Sequence, residues 1–504
     1  MIDSPRPRPN PAGSIGGRSI LAGLLIGAPA PTISRLAAVL LVAVAVAALP
    51  PLYAAGAIAA CAVVVLTLVR PDYGLMLLAL AVPFGSLVED RLGSLPAGPT
   101  ELLAGLVAAG WLARVFSRPT ERVWLGPLFW PIFLFLGVAV FATSFARQAT
   151  ASVHELLRWL ELLLAYLAAT NALRDEPSRR RVAAAVLVAA SLEALLGFVQ
   201  FFTQIGPPSY QVGRFLRAYG TFGQPNPYGG YLAMVLPLAL ALTVCWGSKR
   251  RDWLWWLSLG TTVLTAIAVV MSLSRGAWLG LVLACALVAY FASRRAALYI
   301  SVAAVVTLLV LILGSINLLP SFLTDRLFQA LDYFRIFDAR GVYPSPDIWA
   351  IVERMAHWQA GWEMFLDYPF TGVGPGNYPV VYPDYAILPY WSDPLGHAHN
   401  IYINIAAETG LFGLLAYLGM LGSWVIVGLR AGRRLAPTEG ASAERGSTPA
   451  LTRAIAVGVV ACVAAAGIHN LFDNLYVHGM NVHIGLLLGL MIAGRATDSE
   501  LART

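Results

Sequence analysis

The side chains best suited to chemistry lie between Glu353 and Gly413. This segment opens with Glu353-Arg354, passes His357 and Trp358, and continues through Thr371-Gly372-Val373-Gly374-Pro375-Gly376-Asn377-Tyr378. It closes on Gly396-His397-Ala398-His399-Asn400, where a long apolar helix is predicted to begin. A neutral imidazole at His399, where the chain re-enters an apolar stretch, can take a proton from a hydroxyl. A histidine at a helix start can equally bond the backbone. His397 and His399 form an HxH pair whose rings share one side of an extended chain, as two zinc ligands do. The spacing indicates no third ligand, so no metal is assigned. There is also no DxD pair of the kind that holds Mg²⁺ against a diphosphate in many sugar transferases.

Cations supply the complementary chemistry. Arg275, in Ser274-Arg275-Gly276-Ala277-Trp278, falls at a tight turn between two apolar runs. A guanidinium fork there matches phosphate geometry, or it snorkels to the interface. Arg354 poses the same choice between an anion site and a solvated partner for Glu353 or Asp367. A second polar stretch, about 206–225, carries Arg214, Arg217 and Gly220-Thr221-Phe222-Gly223-Gln224-Pro225, leading into Asn226-Pro227-Tyr228. Arginines without an acidic metal site imply that protein cations neutralise any phosphate bound here. Arg158 and Glu161 stand at helical spacing for an ion pair. Glu193, and Asp473 with His469, read as structural polar contacts within or beside apolar runs.

The elements that must position these groups follow from composition. Apolar residues make up 58% of the 504, charged ones 12%, and mean hydropathy is +0.70. A soluble domain is about half apolar and about a quarter charged. Apolar runs of about 20 residues recur along the chain, which makes it a polytopic membrane protein. Helices are predicted near 35–49, 51–69, 72–87, 100–117, 124–145, 154–173, 179–205, 226–246, 252–272, 275–293, 296–316, 400–429, 453–470 and 478–495. Residues 1–34 are Pro/Gly-rich and read as a disordered cytoplasmic tail, and 496–504 as a second tail. The span 20–30 is broken by Pro29 and Pro31, and no cleavage signature follows it. Residues 35–495 are expected to form one transmembrane domain.

With the N-terminus inside, most of the 34 Lys and Arg residues fall on cytoplasmic segments. That is the positive-inside bias. The net charge of +7 therefore reports topology and makes no case for nucleic acid. The 206–225 stretch and a long loop, 317–399, are then external. A loop of that length is functional or disordered, and its many aromatics argue for an ordered layer at headgroup height. The segment 348–366 has the pattern of an amphipathic helix on that layer. Cys61, Cys245, Cys285 and Cys462 all sit in apolar runs and show no disulfide or metal pattern.

Several of these motifs, in order, resemble the O-antigen ligase/polymerase superfamily. They are Gly220-Thr221-Phe222…Asn226, Ser274-Arg275-Gly276, Arg354…Trp358 and Asp367-Tyr368-Pro369-Phe370-Thr371-Gly372-Val373-Gly374. His399-Asn400, nine residues, then Gly410-Leu411-Phe412-Gly413 is similar to that family's HN-x9-GxxG motif. The resemblance spans roughly 220–420. One departure is that the ligases' R-x3-L reads Arg354-Met355-Ala356-His357-Trp358.

The resemblance implies an all-α, GT-C-like bundle of about 12–14 transmembrane helices with one large extracytoplasmic loop. It implies a metal-independent, inverting glycosyltransferase that moves a glycan from undecaprenyl pyrophosphate to an acceptor hydroxyl on the outer face of the cytoplasmic membrane, with no cofactor. In that scheme Arg275 and Arg354 grip the pyrophosphate and His399 activates the acceptor. Arg217, Asn226, His397, Asn400, Gly374 and Asn377 are the substrate-binding candidates. The acceptor can be a glycolipid, a glycan, or a Ser or Thr of a protein, as in a protein O-oligosaccharyltransferase. A transporter or flippase would instead show repeat-related halves and paired charges at mid-membrane. No clear internal repeat is present.

Overall fold

A computed structural model describes residues 50–85, 87, 98–117, 123–212, 214–246, 252–299, 302, 336–343, 348–434 and 447–501. The predicted tail 1–34 and helix 35–49 lie outside these residues, as do most of 296–316 and the part of the long loop holding Arg326 and Arg335. Residues 1–65 form one compact unit and residues 66–504 another. In the first, the described residues begin helix α1 (Pro51–Val69).

The second unit is built from helices. They are α2 (Pro71–Phe84), α3 (Pro99–Ser117), α4 (Phe129–Thr143), α5 (Ala149–Ala172), α6 (Glu176–Thr203), α7 (Pro225–Ala233), α8 (Leu236–Val244), α9 (Trp253–Met271) and α10 (Arg275–Ala292). After them come α11 (Trp349–Asp367), the one-turn α12 (Tyr378–Val381), α13 (Ile401–Arg434), α14 (Ser447–His469) and α15 (Met480–Leu501). Among the described residues the sheet structure is one antiparallel pair, β1 (Gln211–Val212) and β2 (Phe215–Leu216). Among the described residues seven spans, counting α7 and α8 together, are long and apolar enough to cross a membrane, and α1, α2, α4 and α15 add shorter apolar helices. The chain is an all-α, multi-pass membrane protein.

Packing sorts α4 into two faces. On α4, Ile132, Phe135, Ala139 and Ala142 are buried while Trp130, Phe133, Leu134 and Phe141 point outward. Outward apolar side chains on a helix of this length suit hydrocarbon rather than water. Inside, α15 packs on α5, α9 on α6, and α14 on α8, α10 and α13. Helix ends are capped where the sequence offers an acid: Asp175 accepts from Ser178 N (3.0 Å), and Asp252 from Leu254 N (3.1 Å) and Trp255 N (3.2 Å).

Two helices break where the hydropathy predicted continuity. The expected helix 226–246 is two pieces, α7 and α8. Pro237 has no N–H for the Ala233 carbonyl, and the chain tightens so that Val235 N bonds Leu232 O at 3.1 Å. The second break is in α13, at Gly410, whose φ of 66° is left-handed. Leu411 N there turns away from Ala407 O and bonds Pro369 O at 2.7 Å. The carbonyls freed by this break are met by the glycine-rich run. Val373 N bonds Ala407 O and Gly374 N bonds Glu408 O, both at 2.9 Å. The loop thereby completes the helix it docks on.

Residue 410 must be glycine on two counts. A Cβ there would lie 2.7 Å from Phe370 O, and a left-handed non-glycine residue costs roughly 1–2 kcal/mol before any clash. Gly410→Ala is therefore expected to lower the melting midpoint of the detergent-solubilised protein by several degrees. A midpoint equal to wild type would show that the break tolerates a side chain.

The described residues of the long loop, 336–343 and 348–399, form a layer built around α11. Helix α11 buries Val352, Met355, Ala356, His357, Ala360 and Met364. That face meets protein rather than lipid: Ala360 and Met364 pack with Tyr378, Tyr382 and Ala398, and Val352 and Met355 with Trp391. The layer is fastened to the bundle by α11 on α13 and by Asn377, described below.

Candidate active site

A cavity of about 440 Å³ gathers Arg217, Arg275 and Arg354 from three separate parts of the chain. Arg217 follows β2; its Nε donates to Ser272 O (2.8 Å) and its Nη2 to Asn226 Oδ1 (2.6 Å), and Asn226 also lines the cavity. Arg275 is the first residue of α10, placed by a tight turn in which Leu273 takes a φ of 48°. Ser272 Oγ holds that turn, donating to Val269 O (2.6 Å) and accepting from Ser274 N (3.2 Å). Gly276 is small for a reason: a Cβ would come 2.7 Å from Cδ2 of His469, whose ring lines the cavity beside Arg275. Arg354 reaches in from α11, with Ala350 one turn earlier on the same wall.

Three guanidiniums in one cavity leave their mark on each other. Burial lowers Arg217 to about 10, with Asp473 opposing and Arg275 and Arg354 lowering it further. Arg354 is also lowered, by burial first, against the pull of Asp473. Its Nε is buried and has no hydrogen-bond partner among the described residues. A wall of this kind awaits an anion.

One turn beyond Arg354 on α11, Trp358 Nε1 donates to the His399 carbonyl at 3.2 Å. His399 stands in the left-handed region, φ 52°, which for a non-glycine residue costs on the order of 1 kcal/mol. It is held there from three sides. Its N–H donates to His397 Nδ1 (3.1 Å), Trp358 fixes its carbonyl, and Asn400 Oδ1 caps α13 by accepting from Tyr402 N (2.9 Å) and Ile403 N (3.1 Å). His399 itself is absent from the cavity lining. It connects to it through Asp473, whose neighbour Phe472 is part of the wall.

Asp473 Oδ1 lies 3.6 Å from His399 Nδ1 and 3.8 Å from His397 Nε2. Burial opposes its ionisation, yet the His399 and His397 imidazoles hold it below the usual carboxylate range. His397 is lowered to about 4, chiefly by burial, and is neutral at ordinary pH. His357 packs behind the pair, its ring 5.6 Å from that of His399, and burial lowers it to about 3.

His397, His399 and Asp473 are, among the described residues, the group whose side chains come close enough to share a metal ion. The third ligand that spacing did not indicate is thus present. Protonation speaks against that use. His397 Nδ1 accepts the His399 N–H, so the neutral ring carries its proton on Nε2, the nitrogen facing Asp473. A protonated nitrogen is no metal ligand.

Residues 260–418 match the family model described as O-Antigen ligase. No curated protein matches the chain. Over the matched stretch the chain is similar to the O-antigen ligase family.

The O-antigen ligase match contains Arg275, Arg354, His399, Asn400 and Gly410 and stops short of Arg217, His469 and Asp473. Those last three reach the site from neighbouring elements. Two other expected residues of the O-antigen ligase stretch stand apart from the cavity. Gly374 donates its amide to Glu408 O at the helix break. Asn377 is fully buried; its Oδ1 accepts from Gln148 N (2.7 Å) and its Nδ2 donates to Ser152 Oγ (2.9 Å) and Gln148 O (3.2 Å), tying the loop to the start of α5. The Arg158–Glu161 pair expected from spacing is replaced by Arg158 with Glu155, at 3.2 Å. Asp473 is the residue that sequence reasoning undervalued. The signal was its polar setting, Asn470 to Asn474, in a break between two apolar helices.

Proposed function

We propose that this protein transfers a glycan from an undecaprenyl-pyrophosphate carrier to an acceptor hydroxyl at the outer face of the cytoplasmic membrane. The anomeric carbon–oxygen bond to the pyrophosphate breaks as the acceptor oxygen bonds to that carbon. Undecaprenyl pyrophosphate leaves with the bonding electrons. Arg275, Arg354 and Arg217, the last oriented by Asn226, stabilise the charge gathering on the leaving group. His399 takes the acceptor proton. Its Nδ1 is the nitrogen nearest Asp473, which leaves Nε2 with the lone pair that a base needs. His397 and Asn400 position that ring. One direct displacement inverts the anomeric centre, and the arginines stand in for a metal.

The observation that carries this is the convergence of three arginines from distant segments on one cavity whose rim leads, through Phe472 and Asp473, to an imidazole. Ligase and polymerase share this chemistry and differ in acceptor. The test is full-length protein reconstituted with undecaprenyl-pyrophosphate glycan and a panel of acceptors: lipid A–core, free glycan repeat units and Ser-containing peptide. A product with the summed mass of acceptor and glycan, formed in the presence of a chelator, is expected. Lipid-linked glycan crossing the bilayer with no product would instead identify a flippase.

A further inference from the structure

A second cavity, of about 270 Å³, is lined in part by Tyr476 to Gly479, in the connection that follows Asp473. Its wall includes Glu101 on α3, Arg158 and Glu161 on α5, Asn481 on α15, and Tyr476 and His478 between α14 and α15. None of these takes part in the chemistry proposed above. Asn481 is 3% exposed, and its Nδ2 has no hydrogen-bond partner among the described residues. Glu101 Oε2 is likewise buried and unbonded there. Glu161 interacts electrostatically with both Glu101 and Arg158. A buried amide donor left unmet is unfavourable, so this wall is suited to something that supplies the missing partner.

The chemistry of the wall selects the ligand class. A cation satisfies the two carboxylates but strands the Asn481 amide and is repelled by Arg158. An anion is repelled by Glu101 and Glu161. An apolar group leaves every polar atom unmet. A neutral, hydroxyl-rich ring answers all of them: hydroxyls donate to the carboxylates, and ring or hydroxyl oxygens accept from Asn481 and Arg158. Tyr476 gives it a rigid aromatic edge, since its ring packs on Trp159 at 4.6 Å and its hydroxyl lies 3.0 Å from that of Tyr417.

Position ties this cavity to the transfer site. Asp473 and Tyr476 are three residues apart, so their backbones are separated by at most about 11 Å. A sugar seated against Tyr476 is within a residue or two of glycan from His399. We propose that this cavity is a saccharide subsite, holding one neutral sugar ring of the acceptor while a neighbouring ring presents its hydroxyl to His399. The assignment rests on the transferase reading given above.

The test uses saturation-transfer NMR on the full-length protein in nanodiscs free of saccharide detergents. The probes are methyl glycosides of hexoses, 6-deoxyhexoses and N-acetylhexosamines. Saturation is expected to reach the ring protons of at least one glycoside on wild type. It should fall at least tenfold with Glu161→Gln and with Asn481→Leu, and be unchanged with Arg354→Ala. If Asn481→Leu does not fold, Glu161→Gln on the partly exposed wall decides alone. No saturation of any glycoside, equal saturation in the cavity variants, or loss in Arg354→Ala overturns the subsite. Wild type that transfers glycan without binding glycosides sinks the subsite alone; wild type that binds glycosides without transferring glycan keeps the saccharide site but overturns the transferase reading and, with it, the acceptor role.

Discussion

Arg354→Ala is expected to slow glycan transfer by about 10²–10³-fold, with Arg275→Ala close to it, because each removes one fixed donor to a departing pyrophosphate. Both side chains line the same cavity, and Arg354 Nε is buried with no protein acceptor among the described residues. Arg354 Nε makes no structural tie of the kind Arg217 makes to Ser272 and Asn226. The three guanidiniums also oppose one another, since Arg275 and Arg354 both lower Arg217. Removing one charge relieves that repulsion, so the fold should survive and the loss should appear in turnover. Lysine should restore little, because a single ammonium lacks the planar fork. The double variant should lose less than the product of the two, since they act on one leaving group. The measurement is the initial rate at saturating donor. A rate within a few fold of wild type removes that arginine from the leaving-group site.

His399→Ala is expected to lower transfer by about 10²–10⁴-fold, the usual range for a positioned proton acceptor. Asp473→Asn should also reduce transfer, by a smaller factor. Its amide removes the negative charge 3.6 Å from His399 Nδ1, and the tautomer that leaves Nε2 free loses that electrostatic support. Donor affinity separates this pair from the arginines. His399 lies outside the cavity lining, so His399→Ala should leave the donor KM near wild type while kcat falls. A rise in donor KM with kcat intact would place His399 in binding and leave the base unassigned.

Helices were legible in the sequence because burial in a bilayer writes itself as apolar length. The predicted spans at 100–117, 179–205, 252–272 and 275–293 match α3, α6, α9 and α10 within a few residues. The breaks were harder. Pro237 and Gly410 were both in view, but hydropathy averages over a window and cannot see a missing N–H or a left-handed turn. Arg275, Arg354 and His399 stood out as ionisable groups at apolar edges. Asp473 did not, because its value depends on which ring it faces, and its ring comes from the other end of α13 and α14. Gly374 and Asn377 show the same dependence on what each residue faces. A glycine-rich run ending in Asn looks like a ligand cradle, whereas here its amides meet carbonyls of Ala407 and Glu408 that the break in α13 had exposed.

That docking limits how the site can exchange its contents. A segment whose amides complete a neighbouring helix cannot swing away as a lid without stranding carbonyls in apolar surroundings, at about 1–3 kcal/mol each. Arg354 is carried on α11, whose Ala360 and Met364 pack against Tyr378 at the end of the glycine-rich run. Traffic of a long-chain lipid past such a fixed gate has to run sideways, within the leaflet. Turnover in this protein should then follow the fluidity and acyl-chain crowding of its host bilayer rather than the opening rate of any flap.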